Sequence, residues 1–169
     1  MIATSHVIIG SAVGIATKNP ALGFAAGIAA HFVCDAVPHL DSPLNPKLVN
    51  GRYDQIVWTG GYYIFAITDS VIAFLITLFL WHKFDNFSIV SPLAWGAFGA
   101  YLPDLIDNFP LWRNRVRSLT IFKQFHYFHL ALHNLWRFRY PMNRYWLLGI
   151  LTQVIFVSFA LVYLFQNLI

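Results

Sequence analysis

The chain has 169 residues, of which 58% are hydrophobic and 11% charged, with a formal charge of +4. Soluble domains carry about 25% charged residues, so a soluble globular fold is excluded: one domain of this length cannot hide that much apolar surface. The basic balance does not point to nucleic acid, because the Lys and Arg residues flank apolar segments and read as membrane topology.

Sixteen Phe, eight Tyr and six Trp suit a lipid-facing surface with rings at the interface. The single Cys34 excludes an internal disulfide. No secretory signal is expected, since no basic stretch precedes the first apolar run. All seven acidic residues are Asp and none is Glu, although Glu is the better helix former. The acids look placed rather than scattered.

In chain order, two short apolar segments, Ile2 to Ala16 and Ala21 to Val37, are separated by Lys18-Asn19-Pro20 and predict a helical hairpin over 2–37. Gly10 and Gly14, and Gly23 and Gly27, form small-x-x-x-small pairs that let the two backbones approach. Pro38, Pro43, Pro46 and Gly51 predict a loop over 38–55. A long span follows at 56–81, then a shorter one at 89–102 ending at Pro103. The basic, aromatic stretch 109–144 has helical periodicity from Ser118 to Phe138 and predicts an interfacial helix. A last apolar span covers 145–168. The expected architecture is an all-α, multi-pass membrane protein forming a single domain over 1–169, with about five membrane helices and one interfacial helix.

Nine of the eleven basic residues fall in the Pro-rich loop (Lys47, Arg52) and the 109–144 region (Arg113, Arg115, Arg117, Lys123, Arg137, Arg139, Arg144). Only Lys18 and Lys83 fall elsewhere. The positive-inside rule then puts the N-terminus in the cytoplasm of a cell-membrane protein and the C-terminus outside.

Ionisable residues in apolar segments cost roughly 2.5–3.5 kcal/mol each to insert, so their positions carry information. The same topology brings most of them to one membrane face. His6 opens the first helix. His31 and Asp35 share a face of the second, one turn apart. His39 and Asp41 follow directly. Asp104 and Asp107 end the fourth apolar segment, and His129 and His133 lie one turn apart on the interfacial helix. His126 shares nearly that face but reads as interfacial, and His82 falls at the other face. Asp69 lies mid-way along the third segment, as a ligand or paired with His6 or His31.

Imidazole and carboxylate without thiolate suit a divalent metal: zinc, with manganese or iron as alternatives. The candidate ligands are His6, His31, Asp35, His39, Asp69, Asp104, His129 and His133, enough for one to three ions. Asp107 and Asp41 are candidates for a general base. A His31–Asp35 hydrogen-bonded pair without metal is the plainer alternative.

The run His31-x-x-x-Asp35-x-x-Pro38-His39 resembles the His-x-x-x-Asp…Pro-x-His run of zinc-dependent phospholipase C and its nuclease relatives. Together with His6, the Leu102-Pro103-Asp104 motif and the His129/His133 pair, it resembles the bacterial membrane-bound metal-dependent hydrolases. That resemblance implies His6, His31, Asp35, Asp104, His129 and His133 as ligands, and hydrolysis of a phosphoester, lipid-like, at the cytoplasmic face. Two other functions fit the residues: a metal or proton transporter using Asp69, and a scaffold with a structural metal.

Overall fold

The computed structural model describes residues 1–42, 59–84, 86–109, 111–133, 135 and 146–167, and the backbone of two strands at 47–49 and 52–57. Helix α1 (Ala3–Thr17) ends at Lys18, whose left-handed φ of 53° turns the chain. Asn19 then caps α2 (Pro20–Ala36), its side chain accepting from Leu22 N at 3.0 Å, with Pro20 in the first helical position. The expected loop holds β1 (Lys47–Val49), paired antiparallel with β2 (Arg52–Val57), which runs two residues into the segment expected as the third span. Then come α3 (Gly60–Lys83), α4 (Phe87–Asp107), the single turn and a half of α5 (Arg113–Arg117), α6 (Thr120–His133) and α7 (Trp146–Gln166). The basic residues Arg137, Arg139 and Arg144 lie outside the described residues.

One expectation needs correction. Helix α4 does not stop before Pro103; it continues through it to Asp107, and Pro92 also lies within it. Each proline removes one helical hydrogen bond, but α4 is held along its length by α1 and α2. Among the described residues, α3, α4 and α7, with 24, 21 and 21 residues, are the helices long and apolar enough to cross a membrane. Helices α1 and α2, with 15 and 17 residues, reach about 22–26 Å at 1.5 Å per residue, short of a hydrocarbon core of about 30 Å. Of the five expected spans, three are long enough to cross among the described residues.

Helix α1 is buried on every side, as expected for a helix with no polar face. It packs with α2 and α4 along a seam of small residues. A Cβ at Gly14 would lie 2.2 Å from Pro92 O, and one at Gly96 would lie 2.2 Å from Gly10 O. The glycines of the hairpin thus admit α4 as well as each other, through Gly96, Gly99 and Ala100. Helices α3 and α7 flank α1 and turn Ile64, Val71, Phe74, Leu147, Leu151 and Phe159 outward. An apolar surface of that extent matches a bilayer, not water.

The first turn of α1 meets α3 at Asp69 and α7 at Gln153. Both contacts fall well inside those helices, about 10–14 Å from their starts at 1.5 Å per residue. The N-terminal end of α1 is therefore recessed between two longer helices.

Candidate metal centre

Helix α2 presents His31 and Asp35 from successive turns of one face, both buried. The His31 ring donates from Nδ1 to the carbonyl of Ala100 on α4 at 2.8 Å, leaving Nε2 as a lone pair aimed inward. His39 does the same against Val37 O at 2.8 Å. His129 of α6 donates from Nδ1 to Asp107 Oδ2 at 3.2 Å. Three imidazoles are thus fixed from behind, as metal-ligating histidines are.

Their inward nitrogens converge. His31 Nε2, His129 Nε2 and Asp35 Oδ2 form a triangle with every side 3.0 Å. For bonds of roughly 2.1 Å, the donor–donor edges of an octahedral or tetrahedral shell are about 3.0 or 3.4 Å, so one ion fits against this face. Two imidazole lone pairs 3.0 Å apart repel each other unless a cation lies between them. In the ion-free protein a proton serves. Burial opposes charge on His129, but hydrogen bonds to Asp107 and Asp35, with Asp104 nearby, raise it to about 10.

Three more donor sets overlap the first. They are Asp35, His39 and His133; His6, His31 and Asp104; and Asp104, His129 and His133. The candidate donor atoms within each set lie within 4.8 Å of one another. Asp35 uses both oxygens. Oδ2 faces His31, His129 and His133, the last at 3.1 Å, while Oδ1 faces His6 at 3.2 Å and His39 at 3.9 Å. The backbone nitrogen of Met1 also reaches Oδ1, at 2.5 Å.

His6 stacks on His31 with ring centroids 4.1 Å apart and is fully buried, yet neither of its ring nitrogens makes a hydrogen bond. Buried imidazole nitrogens without hydrogen bonds are costly, and a metal ion bound at Nε2, with Asp35 Oδ1 3.2 Å away, would satisfy that nitrogen. The buried cluster can hold a metal ion.

The remaining candidates divide. Asp41 joins the cluster through His39 Nε2 at 2.8 Å and His133 Nδ1 at 3.5 Å. Burial raises Asp41, but the Met1 amino group, His133 and His39 beside it hold it well below the usual carboxylate range. Asp69 stands apart from the donor sets. Its carboxylate accepts from Ala3 N at 2.6 Å, Thr4 N at 3.1 Å and Thr4 Oγ1 at 2.6 Å, capping α1 from a different helix. Helix α1 has no cap of its own, because Ile2 holds that position.

Asp107 stands behind His129. It also meets Arg117 Nε at 2.8 Å and His126 Nδ1 at 2.9 Å. His126 therefore belongs to the supporting network, which its spacing from His129 and His133 could have revealed. Ala100 and Val37, whose carbonyls set two imidazoles, left no trace in the residue types.

No protein-family model, no curated protein and no solved structure matches this chain. The function has to be read from the site.

Proposed function

We propose that this chain is a membrane-embedded, metal-dependent hydrolase that cleaves a phosphoester, lipid-like, at the cytoplasmic face of a cell membrane. One observation carries the reading: four donor sets overlap on shared carboxylates and imidazoles, with Asp35 turning one oxygen to each side. A carboxylate placed that way suits two ions side by side better than a single structural ion. Nitrogen and carboxylate donors without thiolate favour zinc. When bound, such ions supply Lewis acidity and an activated water at neutral pH.

The chain's own residues supply the rest. His6, His31 and His129 are closed off, whereas the side chains of Asp41 and Asp104 keep 21% and 17% exposure. Substrate reaches the centre from their side. Asp41 is placed to take the proton from the attacking water. The water oxygen bonds to phosphorus, the ester P–O bond breaks, and the departing alcohol oxygen takes up a proton. Asp107 holds His129 in register and keeps its proton on Nδ1.

The recessed N-terminal end of α1, which carries His6, suits a substrate drawn from the bilayer. The cytoplasmic assignment is supported by charge. Arg113, Arg115, Arg117 and Lys123 lie on α5 and α6, the elements beside the cluster, while Lys18 and Lys83 close the helix ends that lead away from it. The observation that motivated a transport path, Asp69, is accounted for by capping.

The test is elemental analysis of purified protein beside His31→Ala, with chelator-sensitive turnover of a phosphodiester. Stoichiometric metal in the wild type, lost in the variant together with turnover, is the expected result. Metal-free protein that is folded and equally active refutes the proposal, and bound metal without turnover leaves a structural centre.

A further inference from the structure

Beside the metal centre, a cavity of about 460 Å³ opens between α3 and α7. That size falls in the range of small-molecule pockets, roughly 300–1,000 Å³. Its walls are Ile2, Leu40, Phe65, Ile150, Val154 and Val157. Its few polar groups are largely turned on each other. Gln153 accepts from Leu40 N at 3.3 Å and donates to Ser5 Oγ at 2.8 Å. What remains is a hydrocarbon surface, suited to an aliphatic chain and poorly suited to a sugar or a nucleotide.

Three features tie this cavity to the centre. The segment after α2 alternates: His39 and Asp41 face the metal donors, while Leu40 and Ser42 line the cavity. Ser5 lines it one residue before His6. Gly149, one residue before Ile150, packs against the backbone of His39, where an added Cβ would come within 2.9 Å of its carbonyl carbon. The cavity then runs along α7 from Ile150 to Ser158, about 12 Å at 1.5 Å per residue. It leads away from the level of the centre. It also opens sideways, since Val154 is half exposed. Helices α3 and α7 pack on α1 rather than extensively on each other, so the gap between them faces whatever surrounds the spans.

We propose that this groove seats an acyl chain of a bilayer phospholipid while its phosphoester lies at the Asp41 and Asp104 side of the metal centre. The proposal rests on the hydrolase reading for the second half of that sentence. The first half, occupancy by an acyl chain, stands on the groove alone. The chain enters laterally from the membrane, and substrates lacking a long aliphatic tail forfeit the contacts that hold the ester in place.

The experiment has two arms on the full chain in phosphatidylethanolamine–phosphatidylglycerol vesicles. In the first, a phosphatidylglycerol with a diazirine in one acyl chain is photolysed and adducts are mapped on α7. Enrichment at Ile150, Val154 and Val157 over the outward Leu147, Leu151 and Val162, abolished by Val154→Trp, is expected. Uniform labelling around α7 means surrounding lipid only and overturns the proposal.

In the second arm, Val154→Trp is compared with wild type on a long-chain phosphatidylglycerol and on bis(4-nitrophenyl) phosphate. The expected result is a kcat/KM lower by roughly tenfold or more for the lipid, with the soluble diester within about twofold. Equal losses on both, or none on either, overturn it. Ile150→Trp repeats the comparison should Val154→Trp not fold. If neither ester is turned over by wild type, the hydrolase reading fails and the first arm alone decides whether the groove holds an acyl chain.

Discussion

His31, His39 and His129 are each set by a partner on the far side of the ring, so the groups behind the candidate ligands should matter nearly as much as the ligands. Asp107→Asn keeps the size of the side chain but weakens its hold on His129, and should reduce metal affinity about 10- to 100-fold by chelator competition. An unchanged affinity would mean that α6 packing alone orients the ring.

The protonation of His129 gives a second expectation. With its pKa raised to about 10, the ion-free protein carries that proton at neutral pH, and an ion must displace it. His133, which burial pushes down to about 4 against the pull of Asp35 and Asp41, is already neutral there. Metal affinity should therefore rise about tenfold per pH unit, or more steeply, between roughly pH 6.5 and 9. In the ion-free protein the sign reverses for stability. The raised pKa of His129 favours the fold fully below about 6.5, and that contribution disappears as pH climbs through about 10. Calorimetric titrations of metal at several pH values, against thermal unfolding of the chelated protein, separate the two.

Among the helices, close backbone approach between α1, α2 and α4 fixes where the ligands stand. Gly14→Ala would drive a methyl group into Pro92 O and should destabilise the protein by about 1–3 kcal/mol or more. Gly60→Ala, with no atom within 4 Å of the added carbon, should be neutral or mildly stabilising in the same thermal-unfolding assay. Asp69→Ala removes the cap on α1 and should cost about 1–2 kcal/mol while leaving metal content unchanged. Loss of metal from that variant would return Asp69 to the ligand sphere.

These contrasts show what the residues alone could reveal. His31 with Asp35 and His129 with His133 were legible because helical spacing puts each pair on one face, and because charge in an apolar segment stands out. The membrane helices were legible as apolar runs, and α6 from its helical periodicity. The role of Asp69 was not, because a cap supplied by another helix has no local signature. Asp107 read as a base when seen only as an acid near a helix end; its place behind His129 depends on α6 folding back over α4. The number of spans is hard to read from the residues because apolar composition alone does not separate a helix buried in protein from one long enough to cross lipid.

At the scale of the whole molecule, orientation can be measured with little background, since the one cysteine, Cys34, is buried. Lys83→Cys and Arg115→Cys should react with a membrane-impermeant thiol reagent from opposite sides, Arg115→Cys only once the cytoplasmic side is opened. Labelling of both from one side would remove the cytoplasmic assignment while leaving the centre itself intact.

Helix α6 makes few contacts with the helical core beyond its histidines and the rings of Phe125 and Phe128 against Phe32. During synthesis, the chain emerging as far as Asp107 already carries His6, His31, Asp35, His39 and Asp104, five of the seven residues in the donor sets, with its carboxylates crowded together. The cluster closes only once His129 and His133 have been translated, so any ion it holds would be captured late in biogenesis and would clamp α6 onto the helices made first.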